Sequence, residues 1–526
     1  MSFARVFAAQ PYLLTGHIVS IEVDITKNTL HAFSLVGLPD KAVDEARDRV
    51  ASALKNSNFV SPKSQNQKIV VSLSPADLKK EGSYYDVGIA LAYLLSDGVI
   101  SFDPAGKLFL GELALNGEVL PVKGVLAIVQ SAKQEGYTEI FVPFQNAEEA
   151  ALIDGMTVYP VKTLLDVICH LVTETEKISS KPQRDLVIPR VLISPYIKKE
   201  KEIKERYFPI DFKDVRGQDT AKRGLEIAAA GGHNIALYGP PGTGKTMLAR
   251  AFTALLPTLD QDTALEVTGI HSIVGSIGSD PMIVWPPFRS PHHTASYVAI
   301  VGGGAYPKPG EVTLAHRGVL FLDEFPEFDK RVVESLRQPL EDRVVSISRS
   351  KGTALFPAHF ILVAAMNPCP CGYRTAKTKV CRCKQSDIAR YERKISGPIM
   401  DRIDMWVSVG EVEYDKLGTL STGETSATIA TRVETARAKQ RDRFAGHAKK
   451  IQTNSDMSVK DIDTHIVLSD TARALLNQSA EKLALSGRAY HRVIKLARTI
   501  ADLAGSETIE SPHLLEALQY RPKSFS

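Results

Sequence analysis

The chain has 526 residues and a formal net charge of +4, which as a soft prior allows about three or four domains. Apolar residues make up 44% and charged residues 24%, the balance of an ordinary globular protein, so any nucleic-acid surface has to be local rather than a property of the whole chain. The five cysteines make no disulfide framework, no apolar run approaches the ~18 residues of a membrane span, and Gln10 and Pro11 interrupt the early apolar run, so no signal peptide is visible; the cytoplasm is the expected location.

In chain order, residues 1–172 read as a first α+β domain. VSIEVDI (19–25) and QKIVVSLS (67–74) alternate as strands do. AVDEARDRVASALKNS (42–57) repeats apolar residues at helical spacing, and YDVGIALAYLLSDG (85–98) ends on a glycine stop. KLFLGELALNGEVLPVKG (107–124) reads as a hairpin turning at Asn116-Gly117. Residues 173–206 are polar, proline-bearing and charge-dense, the composition of a linker. A second globular unit spans 207–410. Residues 411–526 begin polar and become helical, and the last helix is expected to start with Ser511 as cap and Pro512 at its first position.

NIALYGPPGTGKTMLARAF (234–252) is the strongest signal. A short apolar strand, the loop Gly239, Pro240, Pro241, Gly242, Thr243, Gly244, Lys245, Thr246, and a helical pattern follow one another. That is the strand–loop–helix context of a phosphate-binding loop. Its glycines let backbone N–H groups close around phosphates. Lys245 is expected to reach the β- and γ-phosphates of a bound nucleotide, and Thr246 to ligate Mg²⁺. GVLFLDE (318–324) puts Asp323 and Glu324 at the end of a buried strand, 78 positions after Lys245 (323 − 245). There Asp323 is expected to hold Mg²⁺ through water and Glu324 to polarise the attacking water. HFILVAAMN (359–367) ends on Asn367, either a water-orienting amide or a turn asparagine.

Arg402, in SGPIMDRIDMW, is flanked by Asp401 and Asp404, so a structural ion pair is an alternative to a catalytic role. In the helix SGRAYHRVIKLARTIADLAG, Arg488, Arg492, Lys495 and Arg498 lie off the apolar face, where the plain expectation is a solvated basic stripe. His292 and His293 are neighbours, which points their side chains to different sides and makes a poor metal pair.

With these elements in this order the chain resembles an AAA+ ATPase, an α/β P-loop core with a C-terminal helical lid. More narrowly, it resembles the magnesium-chelatase-like family of YifB and ComM. PFRSPHHTAS, AAMNPCPCGY, ISGPIMDRIDMW and RAYHRVIKLARTIADL carry the resemblance, which covers nearly the whole chain. It implies Asn367 as sensor 1, Arg402 as an arginine finger acting on a neighbour's ATP, Arg488 as sensor 2, and Val215 and Gln218 beside the adenine. It implies a homo-hexameric ring and a motor acting on single-stranded or branched DNA in recombination during natural transformation, with no membrane partner. A magnesium-chelatase-like ATPase and a protein-remodelling chaperone are the alternatives. PFRSPHHTAS is then a substrate-facing or gating loop. VVSISRSKGTALF (344–356) resembles a helicase pore hairpin with Arg349, Ser350, Lys351 and Gly352 at its tip. The first domain resembles the proteolytic domain of Lon, but Tyr84 stands where the serine nucleophile belongs and Lys123 is not clearly at the lysine position. A non-proteolytic relative is therefore expected, with Ser83 beside Lys79 and Lys80 as the residual peptidase candidate.

Cys369, Cys371, Cys381 and Cys383, in an insertion at 369–383, form two C-x-C pairs. The set suits a tetrahedral Zn²⁺ held by thiolates. Reduced, unligated thiols or a redox pair are the alternatives. Zinc would make the insertion a finger scaffolding DNA or a neighbouring subunit. Losing it is expected to lower DNA binding and DNA-stimulated hydrolysis while nucleotide binding is kept.

Overall fold

The computed structural model describes residues 3–172, 176–180, 184–197, 208–278, 280–304, 307–349, 352–377, 379–411, 423–447 and 451–521. It divides into two compact units: Met1–Glu202 with Ala264–Ile283, and Ile203–Thr263 with Val284–Ser526.

In the first unit, Phe3–Tyr12 pairs antiparallel with Thr15–Lys27, which pairs antiparallel with Gln67–Ser74. Ala32–Val36 closes the four-stranded sheet in parallel. Alternation explains which face is buried: Val19, Ile21, Val23 and Ile25 point into the core. Each such side chain stabilises the fold by about 1.5–3 kcal/mol when fully buried. Asp40 caps the helix Lys41–Asn56 by accepting from the Val43 N–H at 2.9 Å. The helix Asp86–Asp97 is buried almost throughout.

Several sequence expectations are refined. The first residues, to which sequence reading assigns no element, form the long strand Phe3–Tyr12. The run 107–124 splits, because Glu112–Leu113 and Val119–Leu120 make the expected hairpin while Lys107–Phe109 joins a parallel sheet with Glu139–Pro143 and Thr157–Val161. The expected linker contains paired strands, Glu176–Ser180 and Arg184–Ile188. Its Ile188 is buried in the core of the first unit, because a few apolar residues suffice to dock a segment whose average composition is polar. Residues 264–283, expected inside the ATPase core, cluster with the first unit instead. Within that unit the Gly124 N–H donates to the Ser272 carbonyl at 3.2 Å.

The second unit is built on a five-stranded sheet in the order Phe288–Arg289, Val319–Leu322, Ile361–Met366, Ile235–Tyr238, Met405–Ser408. Every neighbouring pair is parallel. Val319–Leu322 and Ile361–Met366 are buried at every position. That is why they read as unbroken apolar runs rather than alternating ones. The segments that follow the strands, carrying Gly239, Asp323 and Asn367, therefore come together at the carboxyl edge of the sheet, where open parallel sheets bind ligands.

The helices Ser426–Arg443, Asp470–Lys482, Gly487–Leu503 and Ser511–Gln519 share the unit's core through Val433, Leu476, Val493, Ile500 and Leu514. Two expectations here are corrected. Glu510, not Ser511, caps the last helix, in a reciprocal box with His513. The basic stripe on Gly487–Leu503 is not uniformly solvated. Arg498 is 1% exposed and donates to the carbonyls of Glu507 and Ser506. Lys495 Nζ donates to Ser455 O at 3.0 Å. The chain that follows the helix turns back over Arg498, and Ser455 meets Lys495, so cations that look peripheral on a helical wheel donate to backbone carbonyls instead.

Candidate functional site

The loop 239–246 leaves the strand Ile235–Tyr238 and turns directly into the helix Lys245–Ala251. Gly239 admits no side chain, since a Cβ there would lie 2.0 Å from the Val409 carbonyl oxygen. Lys245 Nζ donates to the carbonyls of Gly239 and Pro240, both at 2.7 Å, and to Asn367 Oδ1 at 3.2 Å. Burial pushes the Lys245 amine down to about 8, against the pull of Asp323. Thr246 Oγ1 donates to Asp323 Oδ2 at 2.7 Å. Three separate strand ends thus deliver an amine, an amide and a hydroxyl–carboxylate pair to one place. Hard oxygen donors of this kind fit Mg²⁺.

Glu324 has left-handed backbone, with φ 51°, and its Oε2 lies 3.2 Å from His293 Nδ1. His293 arrives on the segment after Phe288–Arg289, which a bidentate Arg289–Glu311 pair anchors at 2.6 and 2.7 Å. The expected divergence of the two histidines is corrected: their rings lie side by side, centroids 4.2 Å apart and tilted by 33°. The segment leaves regular strand geometry, so the alternation that separates neighbours in a strand does not apply. Gln218, itself left-handed, donates through Nε2 to the carbonyls of Gly410 at 2.6 Å and Thr243 at 3.4 Å, and Val215 is buried nearby in sequence.

Arg402 and Arg488 are gathered elsewhere in this unit, on Glu341 of the helix Arg337–Asp342. The ion pair anticipated between Arg402 and its flanking aspartates is therefore replaced by one with Glu341. Asp404 instead accepts from the Asn234 N–H at 3.0 Å and pairs with Arg492 at 3.4 Å. Burial, then the like charges of Arg488, Arg492 and Arg337, push Arg402 downward. The Nε atoms of Arg402 and Arg337 and Nη1 of Arg492 are buried without a hydrogen-bond partner. Glu341 lies in no motif that sequence reading singles out, and His293, though within PFRSPHHTAS, gives no sign in the sequence that it would face Glu324.

Cys369, Cys371, Cys381 and Cys383 place their sulfurs within 4.8 Å of one another. The basic hairpin forms as read, with Val344–Arg349 antiparallel to Gly352–Pro357, and its tip residues Ser350 and Lys351 lie outside the described residues. In the first unit Ser83 Oγ donates to Glu112, Lys79 pairs with Glu81 at 3.4 Å, and the fully buried Lys80 donates to the Pro75 carbonyl. Among the described residues no helix is long and apolar enough to cross a membrane.

Residues 211–417 match the family described as magnesium chelatase, subunit ChlI. Residues 21–146 match the family of subunit ChlI of Mg-chelatase, and 423–521 its ChlI C-terminal family. The chain is 41% identical over 523 residues to competence protein ComM of Haemophilus influenzae, covering 99% of this chain and 98% of that protein. It is 39% identical over 508 residues to protein YifB of Escherichia coli, covering 96% and 94%. Lon protease 2 of Bacillus subtilis is 32% identical over 152 residues, 27% of each chain. A phosphate loop on a parallel sheet, family matches along the chain and nearly full-length relatives agree: the chain belongs to the magnesium-chelatase-like AAA+ ATPase family of ComM and YifB.

Proposed function

We propose that this chain is an ATP-hydrolysing motor that works as a ring, a homo-hexamer, on single-stranded or branched DNA. The observation that carries the ATPase reading is the meeting of Lys245 with Asn367 and of Thr246 with Asp323 at the sheet edge. In this reading the loop 239–246 wraps the phosphates, and Lys245 exchanges its carbonyl partners for the β- and γ-phosphates. Thr246 and Asp323 hold Mg²⁺, which neutralises charge on those phosphates. Glu324 accepts the proton of the attacking water while Asn367 orients that water. Val215 and Gln218 border the adenine, and the C-terminal helices serve as the lid.

The ring reading is supported by the arginine cluster. Arg402 and Arg488 share one carboxylate, Glu341, and among the described residues the Arg402 Nε–H is buried without a partner, so this pair is short of one anion. A neighbouring subunit's γ-phosphate would supply it to Arg402 and Arg488. The DNA reading rests on likeness to a competence protein and on the basic hairpin after Val344–Arg349. The first unit is read as a non-proteolytic relative of the Lon domain.

ATP turnover of the full chain, measured with and without single-stranded and branched DNA at fixed salt, tests both halves. Stimulation by DNA that steepens as salt falls is the expected result. Turnover indifferent to DNA at low salt would remove the DNA half, and no turnover in any condition would remove both.

A further inference from the structure

We propose that Cys369, Cys371, Cys381 and Cys383 form a tetrathiolate Zn²⁺ site that buttresses the phosphate loop, so that metal occupancy sets nucleotide affinity. The inference rests on reading 239–246 as the nucleotide loop.

The sulfur positions carry the metal half. Cys369 and Cys371 Sγ are 3.4 Å apart, Cys369 and Cys381 3.7 Å, and Cys371 and Cys381 3.6 Å. A disulfide would bring two sulfurs to about 2.05 Å. A zinc ion about 2.3 Å from each of four sulfurs sets them about 3.8 Å apart, the edge of a tetrahedron. The three spacings among Cys369, Cys371 and Cys381 are that edge, slightly contracted, and Cys383 completes the set within 4.8 Å. The ligand set is soft and closed, which suits a structural metal rather than a catalytic one.

The surroundings show what such a metal would do. Among the described residues from 370 to 384 there is no helix or strand, and Gly372 is the one buried residue. Val380, the apolar side chain best able to anchor the segment, is 87% exposed. No hydrophobic core orders this stretch, so a cross-link has to. The first cysteine pair is flanked by residues that touch the nucleotide site. Asn367, bonded to Lys245, lies two residues before Cys369. Gly372, at φ +83°, comes so close to the loop that a Cβ would meet Pro241 Cδ at 2.7 Å. Arg374 ties the far side to Glu392 at 2.7 Å, and Lys379 lies over the Tyr373 ring at 5.0 Å. Thiolate coordination would thus pin the wall against which Pro241 rests. This moves the expected effect of losing metal from DNA contact alone onto nucleotide binding itself.

The test starts with metal analysis of the full chain purified under reducing conditions without chelators, where about one zinc per chain is expected. Replacing it with Co²⁺ should give the visible absorption of a tetrahedral tetrathiolate. Cys383→Ser should lose zinc and weaken binding of a fluorescent ATP analogue about fivefold or more, the scale of one lost hydrogen bond. Because that variant could misfold, the parent protein is also stripped by chelation and refilled. Affinity should fall and then return with Zn²⁺. Lys245→Ala should keep its zinc and lose the nucleotide. Absence of bound metal overturns the site. Metal whose removal leaves nucleotide affinity unchanged overturns the coupling. Nucleotide binding undiminished in Lys245→Ala, with zinc present, removes the loop reading and the coupling with it while the metal site stands.

Discussion

Arg402 and Arg488 bond opposite oxygens of one carboxylate: Arg402 Nη2 donates to Glu341 Oε2, and Arg488 Nη2 to Glu341 Oε1 at 3.0 Å. Two residues on different elements are thereby aimed by a third. If both meet a neighbour's phosphate in the ring, Glu341 competes with that phosphate for them. Arg402→Ala should lower turnover by about 10³ or more with nucleotide affinity kept, and mixing it with Lys245→Ala chains should restore activity. Glu341→Gln should leave turnover at or above the parent rate. A collapse in Glu341→Gln as deep as that of Arg402→Ala would show that the carboxylate aims the arginines for catalysis. Mixed rings that form but stay inactive would remove the role in trans.

Lys245 predicts a pH dependence. Burial lowers its amine to about 8 in the empty site, and phosphate raises it again by favouring the charged form. Binding therefore takes up a proton once the empty site has lost its own. Nucleotide affinity should be full below pH 8 and fall as pH rises through 8, by up to tenfold per unit for one proton. Affinity flat from pH 7.5 to 9.5 would contradict a lysine–phosphate contact.

Glu324→Gln should bind ATP and turn over slowly, because binding and water activation are separate roles. His293→Ala should act in the opposite direction. It frees the Glu324 oxygen that faces His293 Nδ1 at 3.2 Å. A half-exposed pair of this kind is worth at most about 1 kcal/mol, so basal kcat should rise roughly two- to fivefold with KM unchanged. His293→Asn, whose amide reaches the same point, should stay near the parent. A fall in kcat in His293→Ala would mean that the histidine orients the base rather than restraining it.

The first unit should have no peptidase activity. A serine–lysine pair needs an accessible amine beside the hydroxyl. Here Ser83 donates to Glu112, while Lys80 is fully buried on the Pro75 carbonyl. ATP-dependent casein degradation that disappears in Ser83→Ala would overturn this.

What was legible in the chain is what short-range chemistry writes. Lys245, Thr246, Asp323, Glu324 and Asn367 stand at the ends of apolar runs whose burial decides that they are parallel strands, and parallel strands deliver their ends to one edge. The hairpin at Asn116-Gly117 is local in the same sense. Helical periodicity placed Arg498 off the apolar face but could not show that Ser506 and Glu507 would fold back over it. Composition marked 173–206 as a linker but could not weigh one isoleucine finding a core. Only the tertiary structure decided that residues 264–283 join the first unit, that Glu341 collects two distant arginines, that His293 meets Glu324 and that Gly372 rests on Pro241. Each of these is a contact between residues far apart in sequence. No periodicity or spacing encodes such a contact, because its partners are chosen by the packing of whole elements.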